Sequence, residues 1–307
     1  MVRNEMDMDR SRRNIIRSLA LAPIGWRAYS SVLSSSSKPP TTSRVQYSVN
    51  AYSFNDALRS GELTFGSMME FAADLGLNAV DLTAYYFGNY PEVPDDKVLF
   101  DLKKKALALG LNIPWTGVRN NFVTPDSKVR ASDRELITNW LRVSATLGAS
   151  LMRVFPGFGE HEGFSRAQVK EWMVADFKQC AKKAEEHGVI LAMQHHNDFL
   201  YRAAEVIYIL ERVDSEWFGL VLDIGSLRQG DPYTEIEELA PYADYWFIKE
   251  FVYINGVATP VDMQRLAAII KAVGYRGYLS FESLSAGDPQ QIVTSMFKDF
   301  RAAYERL

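Results

Sequence analysis

The chain has 307 residues, 47% of them hydrophobic, and a formal net charge of −4. That is enough apolar side chain for one large core, and too little positive charge for a nucleic-acid footprint or a membrane-surface stripe. One cysteine, Cys180, excludes an intrachain disulfide, a cysteine-based zinc site and a CxxC redox pair, and no apolar run reaches the ~20 residues that span a bilayer.

At the start of the chain, Ser11 to Arg17 reads SRRNIIR: paired arginines, two apolar residues and a further base, with a short apolar stretch from Leu19 to Trp26. This predicts a twin-arginine export signal over residues 1–29 and a periplasmic or exported protein; a disordered basic tail on a cytoplasmic protein is the alternative. Residues 30–44 are dominated by Ser, Thr and Pro and read as a linker. The folded domain is expected over residues 45–307.

Within that domain one phrase recurs. DLGLNAVD from Asp74, ALGLNIPW from Ala108, TLGASLMR from Thr146, EHGVILAM from Glu186 and AVGYRGYL from Ala272 each end a helical pattern in glycine and enter a short apolar run. Glycine suits the left-handed position that closes a helix. The glycines are separated by 34, 38, 40 and then 86 residues, the last being two units of about 43. Strands are predicted at Tyr47 to Tyr52, Ala79 to Leu82, Ile113 to Thr116, Leu151 to Phe155, Val189 to Gln194, Gly219 to Asp223, Tyr245 to Lys249 and Tyr278 to Glu282. Amphipathic helices follow, among them Phe65 to Leu75, Asp96 to Leu109, Arg134 to Leu147, Gln168 to Glu186 and Arg202 to Val213. Ser132 with Glu135 and Ser165 with Gln168 have the spacing of capping boxes. Eight alternating βα units predict an α/β fold, a (βα)8 TIM barrel; an open doubly wound sheet lacks its usual support, because no GxGxxG or Walker phrase follows a strand.

Active sites of such barrels lie at the carboxyl ends of the strands. Those ends read Tyr52 and Asn55, Asp81, Trp115, Arg153, Gln194 with His195 and His196, Asp223, Lys249 with Glu250, and Glu282. Ending apolar strands in Asp223 and Glu282 requires a compensating cation or hydrogen bonds. A divalent metal held by hard oxygen ligands, Mn²⁺ or Mg²⁺, would supply it, and so would ion pairing with Lys249 or Arg153. Residues two apart on a strand share a face, so Phe247 with Lys249, and Gln194 with His196, are expected to point the same way. Trp115, Tyr85, Tyr86, Phe87, Phe122 and Trp246 cluster near strand ends, where aromatic faces suit a sugar ring or simply fill the core. His161 and His187 are given structural roles. The segment from Phe251 to Pro260 is read as a lid or a contact between subunits.

The residues that carry a family likeness are Leu191 to Asp198 (LAMQHHND), Leu222 to Ser226 (LDIGS), Phe247 to Glu250 (FIKE) and Leu279 to Glu282 (LSFE). They resemble the phrases LALENHGD, LDTGN and HxKD of the sugar phosphate isomerase and epimerase superfamily, the xylose isomerase-like barrels that also include endonuclease IV. The resemblance spans residues 45–307 and is nearest to a secreted bacterial branch associated with oxidised sugars. It implies a divalent metal on Asp223 and Glu282, with the weak carbonyl oxygen of Gln194 where the family has Glu, and with Phe247 where it has a histidine ligand. It also implies proton transfer beside a carbonyl of a sugar or keto-sugar, either isomerisation or epimerisation, or hydration or elimination on a 3-keto-sugar.

In that reading Glu282 is the base, Asp223 holds the metal, and Lys249 and His196 act on the substrate. Arg153, Trp115, His196 and Lys249 bind it. The expected partner is a small-molecule sugar, with no nucleic acid and, once the signal is removed, no membrane; self-association is left open. The altered ligands Gln194 and Phe247 also fit a second class, a binding or scaffold barrel without catalysis.

Overall fold

The computed structural model describes residues 45–159, 162–196 and 199–307. The expected export signal, the linker and His161 lie outside these residues, as do Asn197 and Asp198. Parallel strands β1 (Gln46–Val49), β2 (Ala79–Val80), β3 (Leu82–Thr83), β4 (Trp115–Gly117), β5 (Leu151–Val154), β6 (Ile190–Gln194), β7 (Phe218–Asp223), β8 (Ala243–Ile248) and β11 (Tyr278–Phe281) form one sheet in the order β2-β1-β11-β8-β7-β6-β5-β4-β3. Its two ends, β2 and β3, are halves of a single strand interrupted at Asp81. β2 pairs with β1 and β3 with β4, so the interrupted strand closes the barrel. The eight-stranded barrel read from the sequence is the observed architecture.

Helices α1 (Asn55–Ser60), α2 (Phe65–Leu75), α3 (Asp96–Ala108), α4 (Ser127–Leu147), α5 (Arg166–His187), α6 (Ala203–Val213), α7 (Pro232–Leu239), α8 (Met263–Ala272) and α9 (Pro289–Arg306) alternate with the strands. The five punctuating glycines, at 76, 110, 148, 188 and 274, all have φ between +64° and +82°, the left-handed conformation that ends a helix without a Cβ clash. Among the described residues no helix is long and apolar enough to cross a membrane.

Helix starts divide the two expected capping boxes. Ser165 accepts from Gln168 N while the Gln168 side chain accepts from Ser165 N, as predicted. Ser132 and Glu135 lie inside α4, which begins seven residues earlier than expected. Asp126 takes the cap there, accepting from Lys128 N at 2.8 Å. The segment from Phe251 to Pro260 folds as an antiparallel hairpin, β9 (Phe251–Ile254) and β10 (Val257–Pro260), joined through Asn255 and Gly256. Both turn residues have positive φ, as a two-residue hairpin loop requires.

Alternation along each strand sorts the core into two parts. Outward residues such as Phe218, Leu220, Leu222, Trp246 and Ile248 pack under the helices, in a cluster that also holds buried Cys180. Inward residues Trp115, Leu151, Ala192, Val221, Tyr245 and Phe247 form a separate cluster inside the barrel. Trp115, expected to bind substrate from its place near a strand end, is therefore not at the cavity. The strand predicted over Ile113 to Thr116 forms over Trp115–Gly117, so the indole sits at its start, one layer down, 5.2 Å from the ring of Phe247 and 5.8 Å from Tyr245.

Asp81, at the break in the second strand, is fully buried. Its Oδ1 accepts from Ala51 N (3.1 Å) and Thr83 Oγ1 (2.8 Å), and it ties the turn after β1 to the interrupted strand. Burial pushes its carboxyl up to about 8, against those two hydrogen bonds.

Two outcomes follow from this packing. Trp115→Ala, which empties an indole from the barrel interior, should cost about 3–5 kcal/mol of stability in urea unfolding; a loss below ~1 kcal/mol would put the ring outside the packed layer. For Asp81, the folded chain keeps a proton that the unfolded chain has already lost from about pH 4 upward, so its contribution to stability falls as pH rises to about 8 and is then constant. Asp81→Asn carries no such proton. The stability of the variant relative to the native chain should rise between pH 5 and 8 by up to about 1.4 kcal/mol per pH unit, and an unchanged difference across that range would refute the assignment.

Candidate functional site

Inward parity carries a set of polar side chains to the carboxyl end of the barrel, one step beyond the Trp115 layer. Gln194 follows Ala192 on β6, Asp223 follows Val221 on β7, Lys249 follows Phe247 on β8, and Glu282 follows Ser280 on β11. Lys249, Glu282, Gln194, Arg153 and His196 face one cavity of about 710 Å³, with Asp223 buried beside them. These predicted residues are brought together by the fold; Trp115 is not among the lining residues. None of the lining residues comes from the β9–β10 hairpin. The hairpin instead packs on the loop before α7, where the Arg228 guanidinium lies 3.9 Å from the Tyr253 ring centre.

The centre of the arrangement is the Lys249 ammonium. It is bonded to Glu282 Oε1 and lies 3.5 Å from Asp223 Oδ2. Every carboxylate oxygen of the pair has a protein donor or cation beside it. Asp223 Oδ1 accepts from Gly225 N (2.9 Å), Asp223 Oδ2 from Gln194 Nε2 (2.7 Å), and Glu282 Oε2 from Asn50 Nδ2 (2.5 Å). The Gln194 amide must present its N–H to Asp223, since the reverse orientation would set two acceptors against each other. Below, His195 Nε2 accepts from Asp223 N (3.1 Å), which requires a neutral ring with its proton elsewhere. Burial lowers the His195 pKa to about 4, with the Asp223 charge opposing, and so keeps the ring in that form.

These charges hold one another in place. Burial alone would strip the Lys249 proton, but attraction to Asp223 and Glu282 outweighs it and raises the group above its ordinary value. Asp223 is pushed up by burial, and the pull of Lys249 more than reverses this and lowers it. Glu282 is different. Burial, reinforced by repulsion from Asp223, lifts its carboxyl above the usual range despite Lys249. The more basic carboxylate is the one that faces the cavity.

The cavity wall combines cations with aromatic faces. Arg153 is buried, donates to Val118 O (2.6 Å) and to Tyr85 Oη (3.2 Å), and lies 4.1 Å over the Phe155 ring. His196 stands edge-on to Phe155 and Phe158, at 5.7 and 6.1 Å. Of the aromatic residues singled out in the sequence, Tyr85, Tyr86 and Phe87 line the cavity, whereas Phe122 and Trp246 belong to the core. Glu250 is used structurally, accepting from Leu284 N and Ser285 N in the loop after β11.

Asn50 escaped the sequence reading. The first strand was expected to run to Tyr52, which hid the fact that Asn50 follows Ser48 on the inward parity. In the fold β1 stops at Val49, and Asn50 both caps the next turn through Tyr52 N (2.8 Å) and holds Glu282.

The donor set does not suit a divalent metal. Such an ion needs several free oxygen or nitrogen ligands in one shell. Here both carboxylates are already turned on the Lys249 ammonium, Gln194 offers an N–H toward Asp223, and the ring of Phe247 stands where a histidine ligand was expected. Among the described residues no group of three or more His, Cys, Asp and Glu side chains is placed to hold a metal.

A family model described as a xylose isomerase-like TIM barrel matches residues 69–298. Among solved structures, D-psicose 3-epimerase from Clostridium cellulolyticum H10, crystallised with D-tagatose, superposes with a TM-score of 0.70 at 16% identity, covering 85% of this chain and 99% of that one. The apo form of 3-keto-D-glucoside 4-epimerase from E. coli gives 0.69 at 12% identity, over 84% and 100%. The IOLI protein with a bound zinc atom gives 0.71 at 15% identity, over 85% and 99%. A comparison with curated protein sequences finds no match. At these identities the superpositions establish the fold, and the family match covers most of the barrel. The chain belongs to the xylose isomerase-like TIM barrel family.

Proposed function

We propose that the protein is an enzyme that moves a proton beside the carbonyl of a sugar or keto-sugar, with Glu282 as the base. The observation that carries this reading is the cavity-facing Glu282 carboxylate, made more basic by burial and fixed by Asn50 and Lys249. The cavity around it has aromatic faces for the apolar side of a sugar ring and cationic donors, Arg153 and Lys249, for its oxygens. The sugar epimerases among the superposed structures support this substrate class. With an export signal expected over residues 1–29, the substrate is read as unphosphorylated.

The residue opposite Glu282 in the family pattern is Gln194, which cannot take a proton at neutral pH. One base favours reactions in which the proton is returned on the face it left, as in isomerisation, or in which a neighbouring group departs from a 3-keto-sugar. It disfavours inversion at one carbon between two carboxylates. In the proposed step Glu282 takes the proton, the carbon–hydrogen electron pair forms a double bond to the carbonyl carbon, and the carbonyl oxygen receives the displaced pair. His196 and Arg153 orient the remaining oxygens.

The altered positions Gln194 and Phe247 also support a second reading, a sugar-binding barrel that has lost catalysis. Incubation with keto-sugars, 3-keto-glycosides and aldoses in deuterated water, followed by NMR, separates the two. A catalyst incorporates deuterium at one carbon, and that carbon and its product identify the reaction. Glu282→Gln should then lower exchange by about 10²- to 10⁴-fold with the thermal transition retained. Full exchange in this variant would remove Glu282 from the mechanism.

A further inference from the structure

We infer that the Lys249 ammonium is the site's own cation, standing where a divalent metal would otherwise bind and serving as the electrophile that receives the substrate's carbonyl oxygen. The inference rests on the proton-transfer reading for its catalytic half; its cation half stands on geometry alone. Lys249 Nζ touches Glu282 and lies 3.5 Å from Asp223, the two carboxylates of the site, and all three are nearly inaccessible to solvent. Two acidic side chains so close inside a barrel require a positive charge between them, and the ammonium is already there.

The surroundings are arranged for a lysine rather than for an ion. Phe247, two residues before it on the same face, places its ring 5.6 Å from Nζ and supplies no ligand atom. Gln194 presents a donor to Asp223, and Asn50 presents one to Glu282, so the acceptors left by a single ammonium are filled by amides. Gly225 adds a steric reason. A side chain at that position would meet Lys249 Cγ at 3.0 Å, so the glycine leaves room for the aliphatic stem of Lys249.

In the reaction, the oxygen that becomes negative as Glu282 removes the adjacent proton comes to lie beside Nζ. The ammonium donates a hydrogen bond to it, or its proton, and recovers that proton when the carbon is reprotonated. No electron is transferred, and one proton leaves carbon for each that returns. A fixed donor at a developing oxyanion is worth about 10²- to 10³-fold in rate.

The test uses the purified full chain, elemental analysis for bound metal, and thermal unfolding with and without added Mn²⁺. The native protein is expected to carry no stoichiometric divalent metal and to show no Mn²⁺-dependent stabilisation. Lys249→Ala combined with Phe247→His, which opens the space and adds a ligand nitrogen, is expected to gain Mn²⁺-dependent stabilisation. If that variant does not fold, Lys249→Gln alone takes its place, with the same expectation. One equivalent of metal bound to the native chain, or failure of the folded variant to gain Mn²⁺ binding, overturns the inference.

Where a substrate exchanges deuterium, exchange by the native enzyme should be unchanged by EDTA and should fall about 10²- to 10³-fold in Lys249→Gln. Loss of native exchange on chelation overturns the inference as well. A substrate panel without any exchange would count against the proposed function only, because the metal measurements read the cation directly.

Discussion

The structure depends on one buried ion cluster, the ammonium of Lys249 held between Asp223 and Glu282. Each member is costly to bury by itself, of the order of several kcal/mol, and removal of one partner from such a pair typically costs 3–5 kcal/mol because a charge is left uncompensated. The three come from β7, from the residue just after β8 and from the residue just after β11. Since β7, β8 and β11 are consecutive neighbours in the sheet, the cluster joins one side of the barrel at its carboxyl end. It also sets the two carboxylates apart. Asp223 is lowered and stays a counter-charge, while Glu282 is raised and faces the cavity.

That cluster forms only because the architecture delivers it in register. The parallel pairing sets Asp223 opposite Phe247, two residues before Lys249 on the same face, and Phe281 opposite Ile248, so Glu282 follows directly beside Lys249. Beneath it the Trp115, Tyr245 and Phe247 rings fill the barrel interior and exclude water from the lower side. A low-dielectric floor strengthens every charge interaction above it, and makes any unpaired charge there prohibitive. The interrupted second strand contributes from the other direction. Asp81 receives the backbone N–H of Ala51, which fixes the turn where Asn50 leaves β1 and reaches Glu282.

Much of this was legible in the sequence, and what was not has identifiable causes. Left-handed glycines after amphipathic runs are a local signal, and the barrel follows from their spacing. Parity is equally local, so the convergence of Gln194, Asp223, Lys249 and Glu282 could be read from residues two apart. The differences arise where an element began or ended a few residues from its expected place. Strand β4 began at Trp115 rather than at Ile113, which set the indole at its start and in the core, while β1 stopped at Val49 rather than Tyr52 and turned Asn50 into a site residue. The cap of α4 was misplaced for a related reason, because Asp126 competes with Ser132 for the same role and lies nearer the preceding turn. Whether the two carboxylates met a metal or a lysine was left open by the sequence, since that depends on the distance between side chains on different strands.

The presence of Lys249 between the carboxylates has consequences that reach the chemistry. A divalent ion carries twice the charge and can gather several substrate oxygens at once, whereas an ammonium has one charge and at most three hydrogens to give. Two of its contacts here are already spent on Asp223 and Glu282, which leaves capacity for one substrate oxygen. The ammonium and its two carboxylates already sum to −1, so a third carboxylate at position 194 would take the cluster to −2, and Gln194 avoids this while keeping a hydrogen bond to Asp223. The loss of one base and the loss of the histidine ligand thus belong together. On the proposed reading, both accompany a cation built into the residue that follows β8, and both narrow the site to reactions that one base and one electrophile can complete.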